Sequence, residues 1–371
     1  MRRWLLPEHI EDVLPAEARA IERLRRGILD LFERAGYELV APPLLEFVES
    51  LLSGTGKDLD LATFKLVDRI SGRTMGVRAD HTPQVARIDA HLLNRQGVAR
   101  LCYCGSVLHT VPSGITNSRE PLQIGAELYG HAGVEADIEI ARLMIAALKA
   151  TGVAKVHVDL GNPAIYRALV GDAGLNAEDA EVVFHAVQQK NAAEAKGAAV
   201  LTGLHGGIDT IERARKALPA KPAIGAALDA LARVAQACRA AGAETSIDLA
   251  ELGGFNYESG IVFAAFTPGS PDAIARGGRY DEVGASFGRA RPATGFTMDL
   301  RQLAALAPEA AKRGAILAPC IEDAALAAEV ARLREAGEVV IDDLPGHEAA
   351  RDELGCDRKL EKKDGKWRVT S

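Results

Sequence analysis

Hydrophobic and polar positions repeat with a helical period in two long stretches of the chain. In the first stretch, apolar residues recur at three- and four-residue spacing at Ile21, Leu24, Ile28 and Leu31. This spacing predicts a helix over residues 16–35 with one buried face, and the same spacing predicts a second helix over residues 134–150. Gly36 follows the first helix and is a typical stop.

Alternation with a period of two predicts strands elsewhere. Residues 99–130 are predicted to form a hairpin, because Leu101 and Tyr103 alternate with cysteines in its first half. In its second half, Gln123 and Glu127 share one strand face. Residues 111–118 contain Pro112, Gly114 and Asn117. These loop formers predict a long tip rather than a two-residue turn.

The remaining segments complete an α+β pattern. A strand is predicted at residues 37–41, and a second hairpin at 63–78 leads into a helix through residue 93. His81 is expected at the surface, at the start of that helix. Residues 163–245 are Ala-rich and predicted to be helical. The predicted organisation is a core of residues 1–162 and 246–306, a helical insertion at 163–245, and a small C-terminal α/β region at 307–371 that ends in a hairpin across Asp364 and Gly365.

Length and charge narrow the function classes. At 371 residues and 48% hydrophobic content the chain exceeds what one core usually serves. A net charge of -7 argues against broad binding to nucleic acid or to an anionic membrane. No apolar run approaches ~18 residues and no signal-peptide core is present, so a cytoplasmic protein is expected.

Cysteine and glycine patterns exclude several kinds of site. The five cysteines are scattered and odd in number, which favours reduced thiols over a disulfide framework or a zinc site. Gly203, Gly206 and Gly207 lack the Lys-Ser/Thr tail of a phosphate-binding loop. No cofactor and no metal are predicted.

Five ordered stretches resemble the catalytic core of histidyl-tRNA synthetases. They are RADHTPQVAR (78–87), REPLQIGAELYG (119–130), GGFNYESGIVF (253–263), ARGGRYDEV (275–283) and PATGFTMDL (292–300). The resemblance covers roughly residues 5 to 306. It implies a class II synthetase fold, in which helices flank an antiparallel sheet, and a homodimer formed through the first helix and the strand ending at Pro43.

The residues that activate an amino acid in that family are replaced. By the resemblance, His109 stands where an arginine grips the ATP α-phosphate, and Val111 where a glutamate contacts adenine. Gly253 and Gln302 occupy the positions of two further arginines. Each fixed cation at a reacting phosphate contributes roughly 3 to 4 kcal/mol, so three losses remove ~10⁵-fold or more in rate. No catalytic residue and no aminoacylation are predicted, and His109 is expected to fill a packing or hydrogen-bonding position.

The amino-acid end of the family's site is better preserved. The resemblance assigns the substrate ammonium to Asp80, Thr82 and Gln123, and the imidazole to Glu127. The candidate histidine-binding residues are Asp80, Thr82, Gln123, Glu127, Tyr257, Glu258 and Tyr280, where Glu258 replaces a tyrosine of the family. The alternative is a relic pocket in which Gln123 and Glu127 only satisfy buried polar groups and Tyr280 is a core residue. Arg279 is expected to pair structurally with Asp281 or a neighbouring acid.

Other stretches resemble a second family, the regulatory subunits of ATP phosphoribosyltransferase. They are WLLPEHIEDVLPAEA, SGIVFAAFTPG, RARPATGF and the ending LPGH...CDR...DGKW. This resemblance implies a non-catalytic partner of a short-form catalytic subunit in the first step of histidine synthesis. It further implies a hetero-octamer with four copies of each chain, L-histidine as effector, and no tRNA or membrane partner. The effector could bind the relic site or a subunit interface. An active histidyl-tRNA synthetase and a stand-alone histidine sensor are the alternatives.

Overall fold

The helices and strands of the computed structural model follow most of the predicted periodicities. The structure describes residues 4–53, 57–112, 118–171, 176–252, 258–308 and 314–371. Two candidate positions, Gly253 and Tyr257, lie outside the described residues, as does most of the predicted hairpin tip. The chain divides into two compact units, Met1–Pro308 and Glu309–Ser371.

The first unit contains most of the helices and strands. Its helices are α1 (Pro15–Arg34), α2 (Val48–Leu51), α3 (Lys57–Ala62), α4 (Thr82–Arg87), α5 (Val134–Ala150), α6 (Pro163–Val170), α7 (Ala177–Gln188), α8 (Thr210–Ala217), α9 (Pro222–Ala240) and α10 (Leu300–Leu306). Its strands are β1 (Glu38–Leu39), β2 (Leu45–Phe47), β3 (Lys65–Val67), β4 (Thr74–Val77), β5 (Ala99–Ser106), β6 (Leu122–Tyr129), β7 (His157–Gly161), β8 (His205–Gly206), β9 (Glu244–Asp248), β10 (Val262–Phe266), β11 (Ala275–Arg279) and β12 (Ala293–Asp299).

One large sheet organises the first unit. Among the described residues it has nine strands in the order β1-β5-β6-β12-β11-β10-β7-β9-β8. The pairs β1–β5 and β7–β9 are parallel and the other neighbours are antiparallel. The predicted hairpin is β5–β6, in which Leu101 lies opposite Glu127 and Gly105 opposite Gln123. Strands β2, β4 and β3 form a small separate sheet.

The two faces of the large sheet differ in character. On one face, Ile124, Ala126 and Leu128 of β6 belong to a large core shared with α1, α5 and α9. On the other face, Tyr103 and Tyr280 belong to a smaller core with Val85 of α4. Because side chains alternate along β6, Gln123 and Glu127 lie on this second face, away from α1 and α5.

The helices after Asn162 share the large core with the sheet. Val183, Leu201 and Leu231 are buried in the same cluster as Ile247 of β9. Helices α6 to α9 confirm most of the predicted helical character of this segment, but β8 at His205–Gly206 is a strand that the prediction did not include. The limits of the segment as a separate insertion stay a prediction. The predicted helix through residue 93 is α4 followed by a π-helix at Ile88–Leu93, so its hydrogen-bond pattern changes midway.

The second unit has its own small core. It contains β13 (Ala315–Pro319), α11 (Ala324–Glu335), β14 (Val340–Asp343), β15 (Cys356–Lys363) and β16 (Lys366–Thr370). The strand order is β14-β13-β15-β16, and Ile316, Leu326 and Leu360 are buried together. The predicted final hairpin is confirmed, and its turn residues Asp364 and Gly365 both have positive φ, as a type I′ turn requires. No helix in the described residues is long and apolar enough to cross a membrane.

Candidate functional site

A buried carboxyl lies at the centre of the site. Glu127 on β6 is 1% exposed, and its Oε1 accepts hydrogen bonds from Thr82 Oγ1 and from the Tyr103 hydroxyl, each at 3.2 Å. The Tyr280 hydroxyl donates to its other oxygen. Burial raises the pKa of Glu127 to about 8, and hydroxyl donors oppose that shift only in part.

A second acid lies beside it at the start of α4. Asp80 Oδ1 accepts hydrogen bonds from Gln123 Nε2 at 2.8 Å and from the Thr82 main-chain N–H at 3.2 Å. The Thr82 hydroxyl lies 3.4 Å from Asp80 Oδ1 and 3.2 Å from Glu127 Oε1, so it bridges the two acids. The structure thus brings together Asp80, Thr82, Gln123, Glu127 and Tyr280.

The prediction for His81 was wrong, because this side chain is 1% exposed rather than at the surface. Its ring stacks on Tyr103 with centroids 4.7 Å apart. Its Nδ1 and its main-chain N–H both donate to Gln123 Oε1, at 2.6 and 3.0 Å. Burial and the nearby Arg78 lower the pKa of His81 to about 4. A neutral His81 therefore holds the Gln123 amide so that its nitrogen faces Asp80.

Glu258 lies on the same face of the sheet as Glu127, over strand β11. It is 8% exposed, and a Cβ built on Gly278 of β11 would lie 2.9 Å from its Oε1. Gly278 pairs with Gly295 of β12, and Gly295 pairs with Glu127. A Cβ on Gly295 would lie 1.5 Å from Glu127 Oε2. The two carboxyls therefore lie above neighbouring glycines of adjacent strands.

The structure shows what surrounds His109, Val111 and Gln302, the described positions at which the resemblance predicts lost catalytic residues. His109 Nε2 lies 2.9 Å from the main-chain oxygen of Ala79, which confirms the predicted hydrogen-bonding role. Val111 is 65% exposed. Gln302 Nε2 donates to Ser270 Oγ at 3.1 Å.

Neighbouring arginines are engaged by acids. Arg279 donates to both Asp137 carboxylate oxygens, at 3.0 to 3.1 Å, and to Asp281 at 3.2 Å, so its predicted structural pairing is confirmed. Arg301 lies 3.5 Å from a Glu120 oxygen. The groups that face the site are therefore acids, hydroxyls and an amide, which suit an organic cation with several N–H donors.

Sequence reasoning missed three contributors to the site. Tyr103 was predicted to lie in the first strand of the hairpin and was given no role, although its hydroxyl donates to Glu127. Gly278 and Gly295 received no role in the site from the sequence, although both make room for carboxyls. The sequence offered no signal for this role, because the pairing of Gly295 with Glu127 joins strands that are far apart in the chain.

Comparison with known proteins first defines the class. A family model described as histidyl-tRNA synthetase matches residues 9–303. The solved histidyl-tRNA synthetase from Nostoc sp. PCC 7120 superposes with a TM-score of 0.78 at 17% identity, covering 100% of this chain and 97% of that chain. The core therefore has the class II synthetase-like fold that the motifs implied.

Further comparisons define the family. A model of the C-terminal domain of the ATP phosphoribosyltransferase subunit HisZ matches residues 313–370. Proteins named ATP phosphoribosyltransferase regulatory subunit are 57% identical in Ralstonia pickettii (99% of this chain, 97% of the relative) and 55% identical in Cupriavidus necator (99% and 98%). The solved "ATP phosphoribosyltransferase regulatory subunit/histidyl-tRNA synthetase" from Bacillus halodurans is 26% identical, with a TM-score of 0.82 over 95% of this chain and 96% of that chain. The chain belongs to the family of ATP phosphoribosyltransferase regulatory subunits, and it is a regulatory rather than a catalytic subunit.

Proposed function

We propose that this chain assembles with a short-form catalytic subunit of ATP phosphoribosyltransferase and makes that enzyme responsive to L-histidine through the site around Glu127. The observation that carries the proposal is the buried Glu127 carboxyl, which is surrounded by hydroxyl donors. The resemblance adds that His109, Val111 and Gln302 stand at the family's activation positions. Such a site can bind an amino acid without activating it.

The charge distribution supports binding without chemistry. Adenylation gathers negative charge on the α-phosphate, and fixed cations there lower the barrier. A half-buried imidazole at His109 that contacts a main-chain carbonyl lacks the two-pronged donor geometry of an arginine. Arg301, one residue from Gln302, lies beside Glu120 instead.

The proposed site has one end for the ammonium group of histidine and another for its imidazole. Asp80 and Thr82 would accept hydrogen bonds from the ammonium, and Gln123 would hold Asp80 in place because His81 already occupies its carbonyl oxygen. Glu127 would accept from the imidazole, supported by Tyr280. Tyr257 stays a candidate by resemblance alone.

The proposed assembly extends beyond one chain. Relatives named as regulatory subunits support a catalytic partner for this chain. We further propose a homodimer, a hetero-octamer with four copies of each chain, a cytoplasmic location and no tRNA partner. Leu14, Leu39 and Leu44 are exposed apolar residues in and around the segment proposed for dimerisation, and they support the homodimer.

Regulation by this route requires a coupling free energy between the histidine site and the catalytic subunit. If histidine binds a less active arrangement of the complex more tightly than an active one, it shifts the population toward the former. Differential affinity of the Glu127 site for the two arrangements is the physical requirement.

Activity of the reconstituted complex tests the proposal. The short-form catalytic subunit should be active only with this chain present, and histidine should inhibit the complex. Glu127→Gln should weaken histidine binding at least about tenfold, because it replaces the buried carboxyl that accepts from the ring with an amide that cannot ionise. Glu282→Gln is a matched control on an exposed residue. Unchanged histidine affinity in Glu127→Gln would place the effector elsewhere, at the subunit interface.

Two other outcomes would identify the alternative functions. ATP–pyrophosphate exchange driven by histidine with this chain alone would indicate an active synthetase. A homodimer that binds histidine but does not co-purify with the catalytic subunit would indicate a stand-alone sensor.

A further inference from the structure

We propose that the ring-binding end of this site takes a planar organic cation held between Glu127 and Glu258, so that histidine binds as the imidazolium. This inference rests on the proposed histidine site and adds the charge state of the ligand and the role of Glu258. The juxtaposition of two buried carboxyls above two paired glycines is its basis.

The register of three strands places the carboxyls on one face. Glu127 lies opposite Gly295, and Gly295 lies opposite Gly278, so side chains at these positions point to the same side of the sheet. Glu127 Oε2 is 1.5 Å from the Cβ position of Gly295, and Glu258 Oε1 is 2.9 Å from that of Gly278. Since paired Cβ positions lie about 4.5–5.5 Å apart, these two oxygens are within about 10 Å of each other.

A flat ligand fits the sheet surface at Gly278 and Gly295. Glycines at both positions leave the sheet without side chains between the two acids, and even a methyl group there would collide with a carboxyl. A planar ring with N–H donors on two sides could donate to one acid on each side, at about 2.8 Å per hydrogen bond. An imidazolium has that arrangement, whereas a neutral imidazole has only one N–H donor.

One carboxyl oxygen of Glu258 can still accept a hydrogen bond. Its Oε2 is buried and has no hydrogen-bond partner among the described residues. Buried polar atoms without partners are rare in folded proteins and cost free energy, which is typical of a group that a ligand satisfies. Its main-chain oxygen is fixed by Arg167 Nη2 at 2.7 Å, so the residue is held in place on its backbone side.

The surroundings favour the protonated form of both acids, and a bound cation would favour their ionised form. Burial raises the pKa of both carboxyls above their ordinary values. Around Glu127 the titratable neighbours are Asp80, Tyr103 and Tyr280, and hydroxyl hydrogen bonds lower its pKa in part. Around Glu258 they are Glu251, which raises its pKa, and Arg167 and Arg276, which lower it. A protonated acid can therefore pass its proton to a neutral ring as it enters, leaving a carboxylate beside an imidazolium and no net change in protons.

The decisive measurement compares histidine with an uncharged isostere. The probe is 1,2,4-triazole-3-alanine, whose ring matches imidazole in size and stays neutral at pH 7. Calorimetry with the full chain in its complex should show histidine binding at least about tenfold more tightly than the triazole. Glu258→Gln should reduce that preference to about threefold or less, because the amide carries no negative charge beside the ring cation.

Controls separate this inference from the proposed function. Glu282→Gln should keep the preference for histidine, and the thermal midpoint of Glu258→Gln should match or exceed that of the unaltered chain, since an unpartnered carboxyl is removed. If histidine binds and depends on Glu127 but the preference is absent, or persists in Glu258→Gln, the inference fails while the proposed function stands. If histidine does not bind, or binds regardless of Glu127, the proposed site itself fails.

Discussion

Single residues decide where the carboxyls of this site can lie. Gly278 and Gly295 lack the Cβ that any other residue would place against Glu258 or Glu127. Neither glycine has the positive φ that would demand glycine for conformational reasons. Their role is therefore space on the sheet face, and a methyl group is the smallest probe of that space.

Gly295→Ala should damage the site directly. Its Cβ would lie 1.5 Å from Glu127 Oε2 and 2.8 Å from the main-chain oxygen of Ala126, so the carboxyl must move and the strand must adjust. We expect a loss of roughly 1–3 kcal/mol of stability and more than about tenfold in histidine affinity. Urea unfolding and calorimetry measure both. Gly225→Ala in α9, which meets nothing within 4 Å, is the control and should stabilise the protein by up to about 1 kcal/mol. Equal behaviour of the two variants would contradict this account.

The protonation of Glu127 links stability to pH. Its pKa rises from 4.5 to about 8 on folding, so the folded state favours the neutral acid. This contribution is complete below pH 4.5 and is lost as pH rises toward 8, by an amount on the order of 2–5 kcal/mol. Glu127→Gln cannot ionise, so its unfolding free energy should fall less between pH 5 and pH 9 than that of the unaltered chain. Urea unfolding across this range tests the sign, and parallel pH curves would refute it.

Residue-level prediction from sequence succeeded where alternation alone decides the outcome. Gln123 and Glu127 share a face because both lie on one regular strand. The prediction for His81 was wrong because a helix start is usually exposed, whereas here Tyr103 of β5 and Gln123 of β6 cover the ring. Such burial depends on contacts between residues far apart in the chain, which local pattern does not contain.

At the level of elements, a buried ion pair joins the sheet to α5. Arg279 of β11 donates to the Asp137 carboxylate, and both side chains are almost fully buried. The same guanidinium donates to the main-chain oxygens of His131 and Gly133, just before α5 begins. Arg279 therefore anchors the helix start to the strand that carries Gly278.

Removing the acid of this pair should be costly. Asp137→Ala leaves a buried guanidinium without its carboxylate, and we expect a loss of about 3–5 kcal/mol in the free energy of unfolding. Asp137→Asn should lose less, because its carbonyl still accepts a hydrogen bond. Glu212→Ala, which breaks the exposed pair with Arg215 in α8, is the control and should show no measurable change. Chemical denaturation measures all three, and a small effect of Asp137→Ala would show that Arg279 is satisfied by main-chain oxygens alone.

Elements were predictable in proportion to their length and local regularity. The predicted helix at 134–150 is α5 residue for residue, and α1 differs by one residue at each end from its prediction. Strand pairing was not predictable in this way. The parallel neighbours β7 and β9, for example, are separated in sequence by helices α6 to α9. Pairing over such a separation is set by the packing of the whole unit rather than by local period.

For the whole molecule, resemblance supplied what physical patterns could not. Composition indicated a globular protein and argued against broad binding to nucleic acid or membranes. The motifs identified both families, which the comparisons confirm. The sequence could not predict which surface meets a catalytic subunit, because complementarity to another chain is a property of two surfaces.

Reciprocal coupling is the prediction that belongs to the assembled complex. If histidine favours the less active arrangement, substrates of the catalytic subunit must weaken histidine binding by the same factor by which histidine weakens theirs. We expect a factor of about 5–150, measured by histidine titration of the complex with and without ATP and phosphoribosyl pyrophosphate. Histidine binding to this chain alone should not depend on ATP or phosphoribosyl pyrophosphate. The complex containing Glu127→Gln should lose the histidine response while keeping its basal activity. A substrate effect of equal size on the chain alone would show that the substrates compete at the histidine site, and the coupling would then not run between subunits.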